Sequence, residues 1–500
     1  MIRQLILLLF VFMCVEVESQ QWIVDYPSYE DEMICFIGGD ISGEYNYSVG
    51  FKYNQERDVY NPVALCFDKE GAYKDKSYHE TIEKGYFCYA LGLGDGNAFV
   101  VARYGSDVED DRYEGLWFAI INTDLEVIRE KRVELEEPYI SYGEAIHALM
   151  NDKNEIVVVA QIADDILSVE DYDNSYDYAF YKLSKECDLL KNSYLKNTSY
   201  YADISDFTLI PNTNLYAVFG NGMNHNNVES VFYVDDNLDY ISTDFIEDLD
   251  NYPNLLRPKF MCVDRWFDEN VFMMTIQSPS TKGNGKWCPM VLKMDIDMNI
   301  IDMLNLEHLD TTCYISQFRS MAYVDTNTIY ISTFEFAGMV NDDVPNKASI
   351  YLINEELDLL GRKDFEMEHF FNVLYVQPTI DKGCIIQGYI DEGERKRSVI
   401  CKLSRSDFEM PVNMLEEKVL DMSMYPNPVS SLLRVEMRNY KGKCVNVKVV
   451  DMLGRRYLDQ DVVMNENVVS LDVTALTNGL YLCHIEYDKG CYLNRVFVKE

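Results

Sequence analysis

The sequence predicts an all-β protein: a seven-bladed β-propeller followed by a small β-sandwich. Three observations carry this. Short apolar strands alternate with turns of Asp, Asn, Lys, Glu and Gly almost throughout the chain. One strand-turn-strand pattern recurs, its last apolar residue before the turn falling at 67, 121, 183, 234, 294, 353 and 403, so every 50 to 62 residues. Near residue 420 the spacing changes, and a different set of strands and Gly or Asn-Pro turns begins.

The repeat is clearest in Phe118-Ala119-Ile120-Ile121-Asn122-Thr123-Asp124-Leu125, Val231-Phe232-Tyr233-Val234-Asp235-Asp236-Asn237-Leu238 and Ile350-Tyr351-Leu352-Ile353-Asn354-Glu355-Glu356-Leu357. A second type of hairpin lies between these. It turns at Gly94-Asp95-Gly96-Asn97, Asn151-Asp152-Lys153-Asn154, Pro211-Asn212-Thr213-Asn214, Asp264 to Asn270, Asp325-Thr326-Asn327-Thr328 and Asp381-Lys382-Gly383, and a first member spans Met33 to Phe51. Seven units of four strands are too small to stand alone and must stack around an axis. A string of β-sandwiches is the alternative, and the regular alternation of two hairpin types disfavours it. The expected extent of this region is 20–415. No unit carries the Trp-Asp or Gly-Gly signatures of familiar propeller families, so the architecture alone is predicted.

Bulk properties narrow the function. Among 500 residues, 84 acids oppose 44 bases for a formal charge of −40, which excludes the basic footprint that nucleic acid requires and disfavours anionic membrane surfaces. The N-terminus reads as a signal peptide over 1–19, with Arg3 ahead of the apolar run Leu5 to Val15, and Val17 and Ser19 at the cleavage positions. A lipidated Cys14 is the alternative; Phe12 and Met13 are larger than the residues that normally precede one. No other segment has transmembrane length. Of 13 cysteines, many sit in apolar runs such as Met33-Ile34-Cys35-Phe36-Ile37, and none shows Cys-x-x-Cys or zinc spacing. Small buried hydrophobes are expected, with one or two disulfides as the competing reading.

The C-terminal strands hold a specific set of motifs in order: Met424-Tyr425-Pro426-Asn427-Pro428; the strand Val445 to Val450 running into Asp451-Met452-Leu453-Gly454; Leu476-Thr477-Asn478-Gly479-Leu480-Tyr481; and a last strand ending in Val498-Lys499. Together they resemble the type A C-terminal sorting domain of cargo exported by the type IX secretion system, over about 421–500. Cys444, Cys483 and Cys491, and a final Glu500 in place of a basic end, depart from that pattern. The resemblance implies an immunoglobulin-like sandwich and a Gram-negative source. It also implies Sec-dependent export, passage through the outer membrane with the type IX machinery as partner, and release or attachment at the cell surface.

In a propeller, turns between first and second strands and between third and fourth strands share one face. The other connections share the opposite face. Here the second-to-third connections are long: 105–115, 163–177, 221–229, 278–287 and 338–347. Long loops on a rigid scaffold concentrate function. These are acidic and aromatic, and the candidate ligand residues are Asp110, Asp111, Tyr113, Asp171, Tyr172, Asp173 and Trp287. Clustered carboxylates suit calcium, but the alternative is that they only keep the loops soluble, and no cofactor is expected. Asp295-Ile296-Asp297-Met298-Asn299 opens like a calcium loop but lacks its Gly and distal Glu, and turn chemistry explains it better.

Six histidines show no metal-ligand spacing; His147 falls on an inner strand as a packed residue. No hydrolase, metalloprotease or phosphate-loop motif occurs. The expectation is therefore a surface or secreted binding protein for an extracellular glycan or protein. A propeller glycosidase or lyase, and a structural surface-layer component, are the alternatives.

Overall fold

A computed structural model describes residues 22–26, 32–54, 59–105, 113–136, 139–164, 177–196, 202–222, 230–245, 259–266, 270–279, 287–297, 299–306, 313–316, 318–335, 346–367, 369–392, 396–408, 422–437, 444–451, 455–463, 468–487 and 491–499. The chain divides into two compact units, Met1–Glu409 and Met410–Glu500.

In the first unit the described strands form seven antiparallel sheets. Six are consecutive, over 32–77, 84–134, 139–195, 202–245, 259–305 and 313–367, with their strands side by side in chain order. The innermost strands are Glu32–Ser42, Lys84–Gly92, Tyr139–Met150, Ala202–Leu209, Lys259–Trp266, the pair Cys313–Ile315 and Met321–Asp325, and Phe370–Pro378. Each of these packs beside the innermost strand of the next sheet, and the seventh packs beside the first, which closes a ring. The fold is that of a β-propeller, and each sheet is hereafter a blade.

The seventh blade is completed from the other end of the unit. Its strands Phe370–Pro378, Cys384–Asp391 and Lys396–Leu403 are joined at the outer edge by Trp22–Tyr26, which pairs antiparallel from Trp22 with Lys402 to Tyr26 with Ser398. Val24 is buried there with Ile34, Phe36, Leu65, Ile385 and Ile400, so the strand also ties the seventh blade to the first.

The strands form as they do because both faces of a blade are buried. Alternate residues of the second blade, Phe99, Val101, Phe118 and Ile120, pack with Val158, Ala160 and Tyr181 of the third. The intervening ones, Ala98, Val100, Ala102, Trp117 and Ala119, pack with Tyr47, Val49 and Ala64 of the first. A Val or Phe buried in this way contributes about 1.5–3 kcal/mol, and neither face keeps that contribution if its neighbour is absent.

The repeated turn has one local cause. Its first residue accepts backbone N–H bonds from positions two and four ahead: Asp68 from Glu70 and Ala72, Asn122 from Asp124 and Glu126, Ser184 from Glu186 and Asp188, Asp235 from Asn237 and Asp239. Asp295 and Asn354 accept from Asn299 and Asp358 in the same way. The residue three ahead takes a left-handed backbone: Gly71, Leu125, Cys187, Leu238 and Leu357, with φ between 59° and 86°. Leu125, Cys187, Leu238 and Leu357 are buried, so each turn drives a plug inward.

Polar staples join neighbouring blades on this hairpin side. Two residues before the turn residue, the third, fifth and seventh blades carry a lysine. Lys182 donates to the backbone carbonyl of Asp236 (2.5 Å), Lys293 to that of Glu355 (3.2 Å), and Lys402 to that of Lys69 (3.4 Å), each in the next blade around the ring. Tyr47 and Tyr330, near the start of second strands, donate onward to the carbonyls of Gly96 (2.6 Å) and Lys382 (2.7 Å). Asp236 is gripped by Lys153 at 2.5 Å and Lys182 at 2.6 Å, and these bonds hold its carboxyl down at about 2.

In the second unit, Met422–Tyr425, Leu432–Met437 and Val468–Asp472 form one sheet. Arg456–Val463, Cys444–Asp451, Gly479–Tyr487 and Cys491–Lys499 form the other. Leu433, Val435 and Leu471 of the first pack on Val447, Val449, Ile485 and Phe497 of the second, a two-layer sandwich. Nine described cysteines, five in the first five blades and the remainder at Cys313, Cys384, Cys401 and Cys483, are buried and form no disulfide with one another. Burial pushes the thiols of Cys187, Cys313, Cys401 and Cys483 up to about 12, so they behave as small hydrophobes.

Two outcomes follow. Deleting 22–26 removes the outer strand of the seventh blade and lowers the calorimetric Tm by about 5–10 °C. An unchanged Tm contradicts closure by this strand. The Asp236 carboxyl titrates below the ordinary value of about 3.9, so its pairing stabilises fully above about pH 4 and is lost as pH falls through about 2. Asp236→Asn therefore lowers Tm by about 2–4 °C at pH 7, and the two proteins converge near pH 2 in an acid melting series.

Candidate functional site

The sorting motifs come together on one edge of the C-terminal sandwich. The Asn427 side chain accepts from the Val498 N–H at 2.8 Å, and the Val429 N–H donates to the Val498 carbonyl at 2.8 Å. Tyr425-Pro426-Asn427-Pro428, exposed at its four positions, is thus held by the terminal strand that carries Val498 and Lys499. Tyr481 stacks on Phe497 at 5.7 Å and donates to the Thr477 carbonyl at 2.8 Å, which fixes the turn ahead of Gly479. Gly454 lies outside the described residues.

In the propeller, the strand bounds separate two kinds of connection. Hairpins on one side take two to five residues, as at 43–44, 93–97 and 379–383. The connections 106–114, 165–176, 223–229, 280–286 and 336–345, all between second and third strands, leave from the other side. They belong to the second to sixth blades; the first and seventh have only 55–58 and 392–395, and these two blades are neighbours. Asp110, Asp111, Asp171, Tyr172 and Asp173 lie outside the described residues. Trp287 opens the strand Trp287–Asp295, opposite Pro279, at the end of one long connection. Tyr113 is half-buried, its ring edge-on to Tyr86 at 5.3 Å with the Lys84 ammonium 5.3 Å from its centre.

Two cavities lie along the inner strands. One, of about 190 Å³, is lined by Met33, Cys35, Phe51, Phe318, Tyr389 and Lys396 among others. Met33 and Cys35 begin their strand, Tyr389 nearly ends one and Lys396 starts one, so this cavity sits at the long-connection end of the seventh and first blades. The other, of about 310 Å³, is lined by Asp40, Tyr89, His147, Asp206, Arg319 and Tyr375 together with Leu91, Met150 and Leu209. Leu91, Met150 and Leu209 close their strands, which places this cavity toward the hairpin side.

Sequence reasoning placed His147 on an inner strand but did not assemble its polar neighbours. The signal it lacked is backbone irregularity. The inner strands shift register at 36–38, 87–89, 141–146, 204–206 and 373–375, and such bulges re-aim the residues that follow them. Both carboxylates here are structural ties. Asp40 accepts from the N–H groups of Ile41 (2.8 Å) and Gly92 (2.9 Å), and Asp206 from those of Phe207 (2.7 Å) and Val263 (2.5 Å), so each links its blade to the next. Tyr375 donates to the Gly39 carbonyl at 2.8 Å, and the Arg319 Nη1 approaches the Tyr375 hydroxyl at 3.4 Å. Burial lowers the His147 imidazole to about 4. Among the described residues, no group of three or more His, Cys, Asp or Glu is placed to hold a metal ion.

No curated protein matches the sequence. Acylaminoacyl peptidase of Pyrococcus horikoshii is similar at 10% identity and a TM-score of 0.41, over 81% of this chain and 57% of that one, so this chain spans little more than half of its length. The β-propeller domain of the Trilobed protease from Pyrococcus furiosus is similar at 8% identity and a TM-score of 0.40, over 76% of this chain and 95% of that one. The Dos1 propeller gives 8% and 0.40, over 77% and 95%. Residues 423–499 match the family described as Secretion system C-terminal sorting domain. The C-terminal sandwich is a sorting domain of the type IX route, and the protein that carries it is secreted or attached to the cell surface.

Proposed function

We propose that the propeller is a binding domain, delivered to the cell exterior by its sorting domain, that holds an extracellular glycan or protein on the face where the long connections leave. The observation that carries this reading is the inequality of the two faces. On the hairpin side, turn side chains, lysines and tyrosines are spent on turns and on neighbouring blades. On the other side, five connections of seven to twelve residues join second to third strands, longer than the hairpins opposite. Long connections on a rigid scaffold are where recognition concentrates.

The axial cavity is the specific observation in favour of an enzyme. Its chemistry points the other way. Glycoside hydrolysis needs one carboxyl as acid and one as base or nucleophile. Asp40 and Asp206 instead have both oxygens engaged by backbone N–H donors, which fix the side chains as acceptors.

A glycan array and a panel of extracellular proteins, screened with the mature full-length chain alongside hydrolysis and lyase assays on the same glycans, separates the readings. Binding without turnover is expected, unaffected by His147→Gln and Asp206→Asn in soluble protein. Turnover abolished by either substitution overturns the binding reading. His147 supplies a further check. Its folded value of about 4 lies below the ordinary 6.5, so its contribution to stability is complete above about pH 6.5 and is lost as pH falls toward 4. Relative to His147→Gln, the wild-type protein loses Tm progressively between those values, by about 2–4 °C. Parallel curves contradict the burial of a neutral imidazole.

A further inference from the structure

We infer that the long-connection end of the seventh, first and second blades is a subsite for an acidic glycan, recognising a sugar carboxylate. This rests on the proposed function and names the ligand chemistry for that face.

Three cations are spread along this sector, in a chain whose formal charge is −40. Lys396 lines the 190 Å³ cavity and lies 4.9 Å from the centre of the Tyr389 ring. Lys84, only 4% exposed, lies over the Tyr113 ring. Arg103 sits directly opposite Tyr86 in the second blade and is completely buried, and none of its three guanidinium nitrogens has a hydrogen-bond partner among the described residues. Of the two acids nearest Lys396, Asp391 stands directly opposite it in the neighbouring strand and Glu392 is taken by Arg397 at 3.1 Å. A guanidinium enclosed without an acceptor is costly, and its field is poorly screened at low dielectric. An arriving carboxylate is the group that such a sector attracts.

Aromatic rings connect these cations. Phe51 lines the cavity and packs on Tyr60 at 5.1 Å and Tyr86 at 5.9 Å, and Tyr86 packs on Tyr113 at 5.3 Å. Tyr53, Tyr60, Tyr113 and Tyr389 are only half-buried. Rigid rings beside cations suit the flat faces and carboxylates of uronic or sialic acid units; an acidic peptide offers the charge without those faces. Access is also consistent, because the first and seventh blades have the short connections of that face.

Calorimetric titration of the mature full-length protein with trigalacturonate, a hyaluronate oligosaccharide and sialyllactose, each beside its methyl ester, tests the inference. At least one acid is expected to bind, with its ester about tenfold weaker or worse, and with affinity falling as salt rises. Lys396→Met weakens the acid about tenfold. Lys74→Met, whose lysine pairs with Asp124 on the hairpin side, leaves it unchanged. Arg103→Met weakens binding while raising the Tm of the ligand-free protein, since an enclosed unpaired charge is replaced by an apolar chain of similar size.

A lowered Tm in Arg103→Met, or equal binding of acid and ester, overturns the inference. In the second case the binding face itself survives. If no acid binds but another glycan or protein does, the carboxylate subsite alone falls. If nothing binds anywhere on the arrays, the proposed function falls with it.

Discussion

Every blade of this ring depends on its neighbours, and the ring depends on one seam. A four-stranded sheet whose two faces are both apolar has no stable existence by itself. The second blade illustrates this: Phe99 and Phe118 need the third blade, and Ala98 and Trp117 need the first. Six of the seven junctions join sheets that follow each other in the chain. The seventh must join its two ends. Trp22–Tyr26 does so by adding an outer strand to Lys396–Leu403, while Lys402 reaches the Lys69 carbonyl across the same junction. The Ser398 hydroxyl donates to the Ile34 carbonyl there as well. Side-chain ties at this seam thus substitute for the covalent connection that the other junctions have.

That constraint divides the molecule into a face that holds the ring and a face that is spared. Hairpin turns are consumed by their own backbone bonds and by the staples from Lys182, Lys293, Tyr47 and Tyr330. Even the polar axial cavity belongs to this structural side, since Asp40 and Asp206 bind the backbone of the next blade. The long connections leave from the opposite side. At the same end, Arg103 is enclosed with no hydrogen-bond partner among the described residues, which costs stability.

How much of this was legible in the sequence depends on range. The turn at Asn122 is written in five consecutive residues, because its acceptor, its left-handed Leu125 and its closing N–H are all local. Six such turns, and the strand ending at Leu403, carry the repeat, and the strand bounds follow from it. The sorting motif was legible for a related reason: Asn427 and Val498 are distant in sequence, but each sits in a distinctive short word. The closing strand was not legible. Trp-Ile-Val-Asp-Tyr is five residues with no turn of its own, and its partner lies beyond the sixth blade. The axial cluster was hidden because bulges at 88, 205 and 374 break the period of two on which side-chain direction is read. Arg103 did leave a trace, a single charge inside Ala-Phe-Val-Val-Ala-Arg-Tyr-Gly, where a strand buried on both faces should have none.

The central claim is that function resides on the long-connection face and structure on the hairpin face. Hydrogen exchange of the mature protein, alone and saturated with whichever array ligand binds most tightly, tests it directly. The account predicts slowed exchange at 84–86, 103–116, 177–179 and 396–398, with the hairpins at 93–97, 122–126 and 235–239 unchanged. Protection confined to those hairpins, or to the strand ends around Asp40, His147 and Asp206, would contradict it.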